Sequence, residues 1–81
     1  MIDHASETKV FHVTPNTRTE RWVVSQEQSQ FRKEFVRKGD AVLFATSRAR
    51  ETAYAVVKVH RGDGSTEYVS SYRSERYKSR K

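Results

Sequence analysis

The stretch Val56-Val57-Lys58-Val59-His60 runs directly into Arg61-Gly62-Asp63-Gly64-Ser65, and few folds accommodate that junction. The β-branched run predicts a strand and the Gly-Asp-Gly triplet a tight reversal; alternation then resumes through Thr66, Tyr68 and Tyr72. Glycine and aspartate supply the positive-φ conformations that short hairpin loops demand. Two further segments, Phe11-His12-Val13-Thr14-Pro15-Asn16 and Trp22-Val23-Val24, complete the outline of one small ββαββ domain. None of these motifs announces a chemistry, so function has to be argued from charge and surface.

The chain of 81 residues leaves room for one domain and a small core. With 32% charged and 35% hydrophobic residues it is polar, but one Trp, four Tyr and four Phe still give it something to pack. It contains no cysteine, which excludes a disulfide framework and any cysteine-based zinc site. Stability must come from the core, helped by self-association if there is any. No apolar run approaches the ~18 residues of a membrane span. Residues 1–8 carry Asp3 and Glu7 and lack the basic-then-apolar layout of a secretory signal, so the expected location is cytoplasmic.

The net charge is +6, which favours polyanionic partners. Much of it is concentrated at the end: Arg73, Arg76, Lys78, Arg80 and Lys81 face only Glu75. The domain reading is a flexible N-terminus over 1–8, a folded unit over 9–72 and a basic, disordered tail over 73–81.

Along the chain, Lys9 to Thr14 alternates, with Phe11 and Val13 on one face and Val10 and His12 on the other. Pro15-Asn16 ends that strand, and Thr17 to Glu20 forms a longer hairpin loop. Arg21 to Gln26 alternates again, with Trp22 and Val24 together and Arg21, Val23 and Ser25 opposite. Phe31 to Val36 is ambiguous between an irregular lead-in and a short extended piece, with Phe35 its anchor. From about Lys38 to Glu51 the period becomes helical: Ala41, Ala45 and Ala49 share a side, flanked by Val42 and Phe44. Ala53 to His60 and Thr66 to Tyr72 form the second hairpin.

These segments resemble the small prokaryotic domain-of-unknown-function family catalogued as 2188. The resemblance is carried by His12-Val13-Thr14-Pro15, Trp22, Ala41 with Phe44 and Ala45, His60 with Gly62-Asp63-Gly64, and Ser71-Tyr72, in that order. It covers roughly residues 10–72. Arg21 stands where the family usually has glycine, and Arg37-Lys38-Gly39 where it favours a Ser or Thr helix cap. The resemblance implies a fold and no established activity.

Of the three histidines, His12 and His60 are strand residues that share the face away from the helix, and His4 lies in the N-terminal segment. Two imidazoles need a third ligand to make a metal site, and neither a His-x-x-x-His nor a carboxylate spacing supplies one. They read as half-exposed strand histidines. No Ser-His-acid order, carboxylate pair or phosphate loop stands out, because Gly62-Asp63-Gly64 is not followed by a helix. The expectation is no enzyme, no metal and no cofactor.

Binding remains. The face opposite the helix is expected to display Arg21, Tyr54, Lys58 and His60, with Arg61 at its rim and Arg73, Arg76 and Lys78 in the tail. Basic and aromatic residues on an open sheet suit phosphate contact and base stacking, which points to DNA or RNA. Charged residues on a solvated sheet face are also ordinary. Tyr68 and Tyr72 share a face of the last strand, and the sequence leaves open which way it points. The alternative is a protein-interaction module, a homodimer or an inhibitor or adaptor of a larger host protein of the kind found in mobile elements. It would use a strip of Val10, Val23 and Val56 on the uncovered sheet, or Leu43, which projects ~160° from the alanine side of the helix.

The predicted fold is therefore α+β: two antiparallel β-hairpins forming a four-stranded sheet with one α-helix packed on one face. Phe11, Val13, Trp22, Val24, Phe35, Ala41, Phe44, Ala45, Val57 and Val59 are the expected core.

Overall fold

The structure, a computed structural model, describes residues 8–73. Apart from Thr8 and Arg73, the segments read as a flexible N-terminus and a disordered tail lie outside the described residues, as does His4. In chain order the elements are β1 (Lys9–Asn16), β2 (Arg21–Gln26), β3 (Arg32–Phe35), α1 (Lys38–Arg50), β4 (Tyr54–His60) and β5 (Thr66–Arg73). None of the described helices is long and apolar enough to cross a membrane.

The α+β class and both antiparallel hairpins are as expected, but the sheet has five strands rather than four, in the order β3-β2-β1-β4-β5. The added strand is Arg32–Phe35, which pairs antiparallel with β2 through Trp22 opposite Phe35 and Val24 opposite Lys33. It is a short, charged edge, and charge on an edge strand discourages pairing with another chain. The hairpins meet through a parallel ladder, β1 against β4, with Phe11 beside Val57 and Val13 beside Val59. The sheet is therefore mixed, and α1 lies in the crossover that a parallel pair requires.

The two turns differ in how they are held. Asn16 closes the first, its Oδ1 accepting from the amides of Arg18 (3.0 Å) and Thr19 (3.3 Å), and Glu20 takes a φ of 60°. In the second, Asp63 Oδ1 accepts from the Ser65 amide at 2.9 Å and its hydroxyl at 2.7 Å. The positive φ expected of the Gly-Asp-Gly triplet falls on Gly64 alone, at 93°.

Helix α1 starts after an extended Arg37 with no side-chain cap; Asp40 lies in its first turn and Arg48 and Arg50 in its last, matching the helix dipole at both ends. It lies across β4, β1 and β2. Ala41, Ala45 and Ala49 are fully buried, so the backbone of the helix sits close on the sheet. Opposite them lie Phe11, Val13, Val24, Ala55, Val57 and Val59. Trp22, Phe35 and Phe44, expected in the core, pack against it but stay half-buried. A 13-residue helix does not cover five strands, and cations roof the aromatic edges instead. Lys38 Nζ lies 5.6 Å from the Trp22 ring centre, Lys33 5.7 Å from Phe35 and Arg48 5.7 Å from Phe44.

Candidate nucleic-acid interface

Side chains alternate across a strand, so strand register decides what the uncovered face presents. On that face His12 lies opposite Ser25 and Lys58, and Val10 beside Val56. Val23 lies between Thr14 and Glu34, and Ser25 opposite Arg32. On the other side Tyr54 faces Arg73, Val56 faces Ser71 and Lys58 faces Val69. Tyr68 and Tyr72 sit opposite Val59 and Ala55, which directs both tyrosines to the helix side.

Five of the expected contact residues therefore gather on one face: Arg21 at the start of β2, Tyr54, Lys58 and His60 along β4, and Arg73 at the end of β5. Arg73, read as the first tail residue, pairs within the sheet, and its guanidinium carbon lies 5.7 Å from the Tyr54 ring centre. Arg61 lies in the turn beyond β4. Its Nη1 donates to the Ser65 hydroxyl and the Thr66 carbonyl, each at 3.2 Å, so the side chain braces the turn at the rim of the face. Arg76 and Lys78 lie outside the described residues. Sequence reasoning passed over Arg32, because β3 carries no alternating apolar pattern from which to read a face.

The valine strip is narrower than expected. Val23 is only 6% exposed, closed over by its neighbours on β1 and β3, which leaves Val10 and Val56 half-buried beside each other. Next to Val23 a shallow hollow of about 350 Å³ is lined by Thr14, Ser25 and Arg32 among others. Leu43 is 65% exposed on the opposite side of the molecule, on α1.

At the centre of the open face is a connected polar group. His12 Nδ1 lies 2.8 Å from His60 Nε2, and His12 Nε2 lies 2.8 Å from Glu27 Oε2. The ring centres are 5.0 Å apart with planes 23° apart. At that separation, a 2.8 Å nitrogen contact requires both nitrogens to lie nearly on the line joining the centres. The rings thus meet edge to edge through an N–H···N bond and are not stacked face to face.

A carboxylate only accepts, so His12 Nε2 carries hydrogen and donates to Glu27. In the neutral pair His12 Nδ1 is then an acceptor and His60 Nε2–H its donor, leaving His60 Nδ1 without hydrogen. Burial, followed by the nearby His12 and Lys58, pulls the pKa of His60 below 6.5, and the Gly64 backbone opposes this in part. No cluster of three or more metal-ligating side chains forms among the described residues.

Among the described residues the face carries Arg21, Arg32, Lys58 and Arg73 together with the acids Glu27 and Glu34. Among the described residues, Lys38 is the one Lys or Arg that pairs with a described carboxylate, Glu67 at 2.8 Å, and that pair lies on the helix side. A small α+β domain with a helix on one face and a basic, partly aromatic open sheet is the class that this geometry defines. No family model, curated protein or solved structure matches the chain.

Proposed function

We propose that the protein is a non-enzymatic binding domain that holds a single strand of DNA or RNA across the open face of its sheet. The observation that supports this most strongly is the exposed Tyr54 with the Arg73 guanidinium 5.7 Å from its ring centre, followed along β4 by Lys58 and His60. Tyr54 offers a surface on which a base stacks. Lys58 and Arg73 flank it with phosphate-binding charge, Arg21 and Arg32 stand farther across the face on β2 and β3, Arg61 adds charge at the rim, and Arg76 and Lys78 follow β5 in sequence. Such a partner suits the cytoplasmic location expected from the sequence. The resemblance to family 2188 through His12-Val13-Thr14-Pro15 and Gly62-Asp63-Gly64 adds no activity to this reading.

The test is a titration of fluorescein-labelled single-stranded DNA and RNA against wild type and the triple variant Arg21→Gln, Lys58→Gln, Arg73→Gln. Each lost phosphate contact should lower the slope of log K against log salt by about 0.7. Equal binding by the triple variant would move the interface off this face. If no oligonucleotide binds at low salt, the alternative gains: a protein partner seated on Val10, Val56 or Leu43.

A further inference from the structure

We propose that the Glu27–His12–His60 chain is the proton-linked centre of this face, and that binding a phosphodiester there takes up one proton at His60 Nδ1. The inference rests on the nucleic-acid reading above and adds to it a ligand group and a mode of regulation.

With both rings neutral, two N–H groups serve the chain, one donating to Glu27 and one joining the rings, and the cluster as a whole carries the charge of the Glu27 carboxylate. That negative charge sits in the middle of the face, between Lys58 and Arg32, where it repels phosphate. One added proton on His60 Nδ1 breaks no existing bond and brings the cluster to neutrality. A second would sit on His12 Nδ1, put N–H against N–H and open the pair. The hydrogen bonds of the cluster therefore accommodate one added proton without rearrangement.

Burial, His12 and Lys58 disfavour that proton in the free protein, while the Gly64 backbone favours it. The charged and polar groups around the pair come from every neighbouring segment. They are Glu27 from the β2–β3 turn, Ser25 on β2, Lys58 on β4, Thr66 on β5 and, one strand further out, Arg32 on β3. Arg61 and Asp63 in the β4–β5 turn and Glu34 on β3 lie further out, and Glu27 is the acid in direct contact with the pair. A phosphate held beside Lys58 and His60 supplies the missing negative charge. By linkage, if phosphate favours the proton then the proton favours phosphate to the same extent.

The experiment measures binding of the same labelled oligonucleotides by the full chain between about pH 5 and 8 at constant ionic strength. Affinity is expected to rise as pH falls, by up to about tenfold per pH unit where one proton is taken up, and to level off at either end. His60→Gln should flatten the profile, whereas Lys58→Gln should weaken binding at every pH and keep the slope. Calorimetry in two buffers of different ionisation enthalpy should register proton uptake for wild type and its loss in His60→Gln. Circular dichroism of each variant confirms that it is folded. Binding that is independent of pH, or a slope unchanged in folded His60→Gln, overturns the inference and leaves the nucleic-acid reading standing. Absence of binding at every pH overturns both.

Discussion

His12 and His60 stand 48 positions apart in sequence and meet through a 2.8 Å contact between ring nitrogens, joined edge to edge across the parallel ladder of β1 and β4. The parallel register of β1 and β4 brings them together. His12 lies opposite Lys58, two residues before His60, and the two rings close that diagonal. Glu27 holds the far side of His12 and thereby ties the β2–β3 turn to the centre of the sheet.

This pair makes the fold sensitive to pH. Because His60 titrates lower in the folded state than its ordinary 6.5, the unfolded chain binds more protons in the interval just below that value. Stability should therefore increase as pH rises through that interval and fall as pH drops through it. Thermal melts of wild type and His60→Gln across this range should show a shallower pH dependence in the variant. Equal dependence in the two would remove His60 as the cause.

The centre of the core should respond to loss of volume far more than the open face. Val57 is 1% exposed against the helix, while Val56 beside it is half-buried on the open side. Val57→Ala should cost roughly 2 kcal/mol in urea denaturation and Val56→Ala less than about 1 kcal/mol. Equal costs would mean that the uncovered face is buried in solution, as the protein-partner alternative requires.

Helix α1 approaches the sheet through alanine, so the opposite change should also be harmful. Ala45→Leu inserts methylenes where the residue is fully buried and should destabilise by roughly 1–3 kcal/mol. Leu43→Ala, on the exposed side of the same helix, should change stability by no more than about 0.5 kcal/mol.

Two glycines should behave in opposite ways although neither has an atom within 4 Å of an added Cβ. Gly64 holds a φ of 93°, so Gly64→Ala should destabilise by about 1 kcal/mol or more through backbone strain alone. Gly39 lies within the helix, and Gly39→Ala should stabilise by roughly 0.5–1 kcal/mol. Denaturation midpoints of the two variants compare them directly.

Much of this arrangement was legible from alternation. Phe11 with Val13, Trp22 with Val24, and Val57 with Val59 were assigned to the helix side by period two alone, and the same rule put Arg21, Tyr54, Lys58 and His60 opposite them. β3 was legible only as one of two alternatives for Phe31 to Val36, because Arg32, Lys33 and Glu34 are all exposed at a sheet edge and leave no apolar mark. The parallel junction was equally silent, since the pattern inside each hairpin is the same whichever strands meet. That junction decides what the histidines do: His12 and His60 were placed on one face, but their contact depends on which strands adjoin. The direction of Tyr68 and Tyr72 also had to await register, because β5 is exposed along most of both sides.

We propose that nucleic acid is held by the folded sheet and not by a sticky basic end. Anisotropy titration of labelled single-stranded DNA and RNA across a salt series tests it most directly, comparing the full chain with one ending at Arg73. Both are expected to bind and to weaken steeply with salt, the shorter chain losing only the part of the slope due to Arg76, Lys78, Arg80 and Lys81. Binding abolished by that truncation, or absent from the full chain at low salt, would contradict it.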